Sequence, residues 1–321
     1  MTRIGLLGAS GIAPLAIIQP AGRRDDCDVV CVAARDGGKA RDYASQHGIA
    51  DAVEGYEALL AREDIDLVYN GLMQNRHADL SIAAVDSGKA VLCEKPFAMN
   101  AGEAEAMVAA SERTRRPLIE AFHYRHHPAF RALEVALPRL GPLREVSGRF
   151  TVPLPPEGTR FDLSLGGGSL MDLGCYPLHA LRTLCGTEPM IISAEAVEGP
   201  AGIDESITAT LDFEGVKGTV HSDMSATAER GLNLHLVGRD GEASIMNFVH
   251  PYRGHHITVA DEIVSEGTTE RTTFDYQLDH VLDVMAGKAD PLTGGADALA
   301  NMRAIDAIYR AAGMQPRGLA S

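Results

Sequence analysis

From Ile4 to about Glu120, short apolar runs alternate with amphipathic stretches, and after Pro128 the pattern changes to longer runs of alternating apolar and polar positions. The first pattern specifies a parallel sheet with helices on both faces. Its strands are expected at Ile4–Leu7, Val29–Ala33, Leu67–Tyr69, Ala90–Cys93 and Leu118–Glu120. Helices over Lys39–His47 and His77–Ser87 each run into a glycine, Gly48 and Gly88, the residue that a left-handed helix cap favours. A third helix near Ala104–Thr114 carries Arg113, Arg115 and Arg116 where they complement its dipole, and Pro117 stops it. The second pattern predicts antiparallel strands at Leu143–Val152, Ile191–Val197, Ser206–Phe213, Val216–Ser222, Leu232–Gly238 and Glu242–Phe248. Hairpin turns at Phe213-Glu214-Gly215 and Arg239-Asp240-Gly241 make Ala194–Phe248 an open meander.

The expected fold is therefore α/β followed by α+β. Residues 1–122 form a Rossmann-type doubly wound parallel sheet. Residues 123–321 form a domain with a large open, mostly antiparallel sheet, helices on one face and a C-terminal helix over about 293–313. An open apolar sheet face with no helix left to cover it predicts contact between subunits. Composition agrees, since 321 residues with 45% hydrophobic and 23% charged positions exclude disordered and fibrous classes. A formal charge of −15 argues against nucleic acid and against an anionic membrane surface. Cys27, Cys31, Cys93, Cys175 and Cys185 are an odd set without a C-x-x-C spacing and read as reduced, mostly buried thiols. The amino terminus enters a strand at once, and no apolar run is long enough for a secretory signal or a bilayer span, so a cytoplasmic setting is expected.

The first turn, Gly8-Ala9-Ser10-Gly11-Ile12-Ala13, keeps the first glycine of the dinucleotide fingerprint, with Ser10 at the second position and Ala13 at the third. It follows a strand and opens a helix whose free N–H groups can hold a pyrophosphate, so Gly8, Ser10, Gly11 and Ile12 are the expected cofactor contacts. A purely structural glycine turn is the competing explanation. The second strand ends in Ala34-Arg35-Asp36, where an NAD site usually places a ribose-binding carboxylate. Arg35 and Lys39 can pair instead with a 2′-phosphate, which favours NADP(H). A one-residue shift bringing Asp36 to the ribose keeps NAD(H) open.

Two further segments carry chemistry. Cys93-Glu94-Lys95-Pro96-Phe97 follows a strand, and Gly166-Gly167-Gly168-Ser169-Leu170-Met171-Asp172-Leu173-Gly174-Cys175-Tyr176-Pro177 is glycine-rich. A lysine at a strand's carboxyl end and a tyrosine on such a segment suit hydride transfer at a carbinol or carbonyl carbon. A phenol with a pKa of about 10 is a poor base at neutral pH, and an ammonium such as Lys95 favours its phenolate. In the reducing direction Tyr176 donates a proton while Lys95 stabilises the developing alkoxide. This chemistry needs no metal. His123, His126 and His127 lack two ligands at helical i, i+4 spacing and do not read as a metal site. His255 and His256, in a glycine-flanked turn after Pro251, read as a surface loop.

With Glu120-Ala121-Phe122-His123-Tyr124-Arg125-His126-His127-Pro128 and Pro291-Leu292-Thr293-Gly294-Gly295 running into Ala296–Ala312, the chain resembles the Gfo/Idh/MocA oxidoreductases over essentially its whole length. It is most similar to the branch holding D-xylose or glucose 1-dehydrogenases, dihydrodiol dehydrogenase and 1,5-anhydrofructose reductase. The resemblance implies that the second domain binds substrate and assembles a homodimer or homotetramer through its sheet. It implies that Lys95 meets the substrate oxygen beside the nicotinamide, and that Tyr176 stands where inositol dehydrogenases have histidine. Asp172 is assigned to substrate hydroxyls or to orienting Tyr176, against a helix-start carboxylate facing the dipole. Arg160, Phe161, His127 and His179 are the remaining substrate candidates, with a packing role open for His179. Glu94, Arg125, Met73, Gln74 and His77 are cofactor-side candidates, Met73-Gln74 replacing the family's usual Pro-Asn pair. The Lys95-Pro96 bond is expected to be cis. The implied activity is an NAD(P)-dependent oxidoreductase acting on a sugar, anhydrosugar or cyclic diol. An NAD-dependent glycosidase using transient oxidation and a non-catalytic nicotinamide sensor stand as alternatives, and the presence of both Lys95 and Tyr176 speaks against the sensor.

Overall fold

Six short strands, each a nearly unbroken apolar run, build the first sheet: β1 (Thr2–Leu7), β2 (Cys27–Ala34), β3 (Asp51–Glu54), β4 (Leu67–Asn70), β5 (Ala90–Cys93) and β6 (Leu118–Glu120). The structure is a computed structural model and describes residues 1–199 and 202–319. The strand order is β3-β2-β1-β4-β5-β6 with every neighbouring pair parallel. Such strands are covered on both faces, and Ile4, Leu6, Leu7, Val32, Val68 and Leu92 are fully buried. The direction of winding reverses between β1 and β4, which places the ligand crevice of an open α/β sheet at their carboxyl ends. The crossovers are α1 (Gln19–Gly22, continuing a π turn over Pro14–Ile18), α2 (Gly37–His47), α3 (Tyr56–Leu60), α4 (His77–Asp86) and α5 (Ala101–Thr114). Gly48 and Gly88 have the left-handed φ of 69° and 86° expected after α2 and α4. β3 lay outside the expected strands because it is an edge strand of only four residues with both ends exposed, too short to show a period.

The second sheet holds β7 (Leu143–Thr151), β8 (Met190–Glu198), β9 (Asp204–Phe213), β10 (Val216–Asp223), β11 (Gly231–Gly238), β12 (Glu242–Met246), β13 (His255–Val259) and β14 (Glu262–Gly267). Its order is β14-β13-β12-β11-β7-β10-β9-β8. The expected hairpins are present: Phe213 faces Val216 across Glu214 (φ 52°) and Gly215 (φ 95°), the paired left-handed residues of a tight two-residue turn. The uninterrupted meander is not. β7 inserts between β10 and β11, pairing parallel with one and antiparallel with the other. Residues 224–230, which join β10 to β11, turn once at Ser225–Ala228, where the Ala228 N–H donates to the Ser225 carbonyl at 3.0 Å, and are long enough to step past one strand.

His255 and His256 also depart from the expected loop. They begin β13, where His255, Ile257 and Val259 alternate inward. His255 is buried, with Nδ1 2.9 Å from the Pro251 carbonyl and Nε2 2.8 Å from Ser265 Oγ. A period-two pattern that opens on histidine is easily read as polar turn. The open face of the sheet is mixed, with Val197, Met246 and Ile263 exposed on it among polar positions. Its outward positions include Ser147, Arg149, Thr208, Thr219, His221 and Asn233, while Val146, Ile207, Leu211, Val220 and Leu236 turn inward. The inward face packs against α6 (Pro128–Ala136) and α7 (Cys175–Cys185). α7 approaches so closely that a Cβ on Gly148 would lie 2.7 Å from Pro177 Cβ.

Two helices complete the chain, α8 (Thr273–Met285) and α9 (Gly295–Ala311). The backbone separates into two compact units: Met1–Phe122 with Phe274–Leu299, and His123–Thr273 with the chain from Ala300 onward. Phe274, Leu278 and Val281 of α8 share one apolar cluster with Ile4, Leu6, Val32 and Tyr69, so that segment returns to the first unit. Arg23 pairs with the buried Asp275 at 2.7 Å to fix the same helix. No described helix is long and apolar enough to cross a membrane.

Candidate functional site

In the first unit, the turn after β1 is shaped by what it lacks. Gly8 has φ 95°, donates its N–H to the Ala33 carbonyl at 2.9 Å, and has no room for a Cβ, which would meet Leu72 Cδ2 at 2.5 Å. Ser10 Oγ is buried without a hydrogen-bond partner, while its carbonyl accepts from Tyr43 Oη at 2.9 Å. A Cβ on Gly11 would face open space, and Ile12 is exposed. An orphaned hydroxyl in a glycine turn at the switch point of a parallel sheet fits a pyrophosphate acceptor.

At the tip of β2, Asp36 is the N-cap of α2 and accepts from the Lys39 N–H at 3.0 Å. The backbone N–H groups of Lys39 and Gly38 hold its carboxyl below the usual carboxylate range. Asp36 Oδ1 is thus engaged as a helix cap, and Arg35, Asp36 and Lys39 are all exposed.

The loops after β4 and β5 are tied from below. Asn70 Nδ2 donates to the Arg76 and His77 carbonyls, each at 3.3 Å, and to Ser81 Oγ at 3.1 Å. Met73 precedes a short 3₁₀ turn over Gln74–Arg76, in which Gln74 Oε1 is buried and unpartnered, a second atom suited to a ligand donor. His77, expected on the cofactor side, instead turns Nδ1 to the Pro96 carbonyl at 2.9 Å and Nε2 to the Leu72 carbonyl at 3.1 Å. Burial lowers its pKa, and its position between two backbone carbonyls makes it a clasp for the two loops. Glu94 is a brace of the same kind, accepting from Tyr69 Oη at 2.8 Å and from the Lys95 N–H at 3.3 Å. Burial pushes its carboxyl upward. Glu120 accepts from the Phe97 N–H at 2.9 Å. Lys95 therefore sits on a segment held by two buried glutamates, and the Lys95-Pro96 bond is cis.

In the second unit, the glycine-rich segment leads through a π turn over Leu170–Gly174 into α7. Gly166 and Gly168 have φ of 90° and 135°, and a Cβ on Gly167 would lie 2.8 Å from the Asp162 carbonyl. The segment is anchored on Asp204, which is fully buried and accepts from the Leu170 N–H at 2.7 Å, Ser169 Oγ at 3.0 Å and Tyr309 Oη at 2.9 Å. Asp204 also pairs with Arg317, whose Nε donates to the Gly167 carbonyl at 2.8 Å. The Arg317 guanidinium lies 4.2 Å from the centroid of the Tyr309 ring. Burial pushes the Asp204 carboxyl upward and Arg317 opposes it.

Tyr176 follows on α7, buried against Phe150 at 5.7 Å between ring centroids. Its hydroxyl lies 3.3 Å from His123 Nε2, and His123 Nδ1 lies 2.8 Å from Thr273 Oγ1. Asp172 accepts from Arg160 Nε at 2.6 Å, so two expected substrate residues meet each other. Phe161 is buried. Three other candidates are engaged inside the unit. His127 caps α6, accepting from the Ala129 N–H at 3.1 Å, and its Nε2 lies 3.0 Å from Thr269 Oγ1. Burial, with His255 nearby, lowers its pKa to about 4. Both of its ring nitrogens are engaged within the unit, one of them capping α6. His179 Nδ1 lies 2.6 Å from Tyr124 Oη, the packing alternative left open for it. Arg125, expected on the cofactor side, pairs with Glu134 at 2.7 Å and covers the Phe130 ring.

Sequence reasoning passed over His123 as Tyr176's neighbour, and over Asp204, Tyr309 and Arg317 altogether. Isolated residues 53 to 113 positions apart leave no local signature. Among the described residues, no group of three or more His, Cys, Asp or Glu is placed to hold a metal ion.

Comparison with known proteins gives two family matches. Residues 2–122 match an oxidoreductase family model described as an NAD-binding Rossmann fold, and residues 135–244 match a GFO/IDH/MocA C-terminal domain. D-xylose 1-dehydrogenase (NADP(+)) 2 of Haloferax volcanii is 31% identical over 314 residues, covering 96% of each chain. The trans-1,2-dihydrobenzene-1,2-diol dehydrogenase of Xenopus laevis is 33% identical over 229 residues, covering 70% of this chain and 68% of its own. Among solved structures, the aldose-aldose oxidoreductase from Caulobacter crescentus superposes with a TM-score of 0.88 at 26% identity, covering 97% of both chains.

Proposed function

The chain belongs to the Gfo/Idh/MocA oxidoreductase family and has its NAD(P)-binding Rossmann unit, and from that premise we propose an NADP(H)-preferring dehydrogenase or reductase acting on a sugar, anhydrosugar or cyclic diol. The names of the similar xylose and dihydrodiol dehydrogenases support that substrate class. The observation that carries the cofactor preference is the tip of β2, where Asp36 is occupied as a helix cap and Arg35 is exposed beside Ala34. A ribose 2′-hydroxyl would find only a carboxylate already engaged through one oxygen as a helix cap, and a 2′-phosphate would find a guanidinium.

Bound nicotinamide supplies the hydride acceptor or donor. Ser10 Oγ and Gln74 Oε1 are the buried groups suited to holding the dinucleotide. Tyr176 serves as general acid/base, taking the substrate hydroxyl proton in oxidation and returning it in reduction. Lys95 supplies the positive charge that favours phenolate in one direction and alkoxide in the other. Asp172, paired with Arg160, offers a fixed carboxylate to a polyol's remaining hydroxyls. The same reading includes a homodimer or homotetramer through the second sheet, which light scattering would count. Five free thiols, four of them buried, support a reducing compartment.

The test is nicotinamide absorbance with NADP⁺ or NAD⁺ and a panel of D-xylose, D-glucose, anhydrosugars, inositols and trans-dihydrodiols. Turnover is expected with NADP⁺ and one of these classes. Tyr176→Phe should lower kcat by roughly 10² to 10⁴ while NADP⁺ still binds. Unchanged turnover would remove Tyr176 from the mechanism.

A further inference from the structure

The contact between Tyr176 and His123 has no counterpart in the reading above. Both side chains are buried, at 5% and 2% exposure, and the phenolic oxygen is 3.3 Å from Nε2. The other ring nitrogen is 2.8 Å from Thr273 Oγ1, itself fully buried. With its ring proton on Nδ1 and given to Thr273, the imidazole presents a lone pair on Nε2 to the phenol. A phenol and an imidazole at hydrogen-bond distance have one labile proton to place between two basic sites.

Resting on the assignment of Tyr176 as the acid/base, we propose that His123 is a positioning residue that holds Tyr176's proton, so that the histidine–tyrosine pair and not the phenol alone sets the working pH. In alcohol oxidation the Tyr176 Oη–H bond breaks as an Nε2–H bond forms on His123. The phenolate then takes the substrate hydroxyl proton, while the carbon-bound hydrogen leaves with its electron pair to the oxidised nicotinamide. The pair begins with one labile proton, ends with two, and releases one to solvent before the next turnover. Reduction runs from two protons to one. Oxidation is therefore lost as pH falls through the histidine range, and reduction is lost as pH rises through it.

Among the described contacts, the titratable side chains that meet His123 include Tyr176 from α7 and His250 from the loop after β12, whose ring stacks on it at 5.6 Å and 20°. Tyr124, next in the chain, turns its hydroxyl to His179. His250 is therefore the control.

Two measurements decide the matter. In ring-¹⁵N-histidine NMR of the NADP⁺-loaded protein, the signal lost in His123→Gln should shift in Tyr176→Phe, independently of any turnover. In kinetics with NADP⁺ and the best substrate of the panel, His123→Gln, whose amide oxygen can still accept from the phenol, should move the acid limb of oxidation from about pH 6–7 to above about pH 9. It should cost at least about tenfold in kcat at neutral pH and little at high pH. His123→Asn, which reaches only the Nδ1 side, should move the limb too, and His250→Gln should leave it in place. A limb that stays while kcat falls at every pH means a merely structural histidine and overturns the proposal. So does a limb moved by His250→Gln, or a His123 signal indifferent to Tyr176→Phe. Full turnover by Tyr176→Phe overturns the tyrosine assignment itself; loss of turnover there with an unmoved limb in His123→Gln overturns the relay alone.

Discussion

The two glycine-rich segments of this chain use the same residue for opposite purposes. In the turn after β1, Gly8 lets the backbone bend, Gly11 faces open space, and Ser10 Oγ is left without a partner. In the segment before Tyr176, Gly167 and Gly168 clear room for the protein's own groups, the Asp162 carbonyl and Arg317. Around them Asp204, Arg317, Tyr309 and Ser169 satisfy one another. One segment leaves a buried hydroxyl unsatisfied, and the other is tied down by hydrogen bonds within the protein. Binding sites need unsatisfied donors and acceptors, while a residue that must present one hydroxyl at a fixed place needs a scaffold with none left over.

The largest effect should come from breaking the completed side. Arg317→Ala leaves Asp204 buried without its countercharge and should cost about 3–5 kcal/mol of stability, seen as a lower denaturant midpoint, with NADP⁺ affinity retained once folded. Adding Asp204→Asn should recover part of the loss. An unmoved midpoint would show that the ion pair does not support the segment. Next is a pH effect from His127, which is held neutral because its folded pKa of about 4 lies below the ordinary histidine value. The unfolded chain binds the extra proton first, so stability should fall on acidification from about pH 6.5 to about pH 4, by about 2 kcal/mol. His127→Asn keeps an N-cap acceptor and should flatten that slope in thermal melts at several pH values.

On the open side the effects should appear in binding. Arg35→Ala should reduce the ratio of kcat/KM for NADP⁺ over NAD⁺ by about 10- to 100-fold, the worth of a charge-assisted hydrogen bond. An unchanged ratio would transfer the 2′-phosphate contact to Lys39. Gly11→Ala should be the mildest in stability, within about 0.5 kcal/mol, because its added methyl meets nothing in the protein. Its Kd for NADP⁺ should nonetheless rise, since the methyl occupies space assigned to the pyrophosphate.

Much of this architecture was legible along the chain. Five strands of the first sheet, the helix-capping glycines, the dinucleotide turn, the Glu94-Lys95-Pro96 segment and most strands of the second sheet follow from burial patterns only a few residues long. The polar lining was harder, because a histidine reads alike whether it caps a helix, as His127 does, bridges two loops, as His77 does, or meets a tyrosine, as His123 does.

What the sequence alone determined was each element's type and the place of its special residues, since periodicity, glycine φ and proline breaks are local properties of the backbone. Only the tertiary structure decided that β7 lies between β10 and β11, that the outward face of that sheet mixes polar with apolar positions, and that Asp204 meets Arg317 113 residues later. Strand insertion depends on pairing register across long loops, and a buried charge finds its partner only when both are desolvated together. Neither interaction has an energy until the distant segments meet.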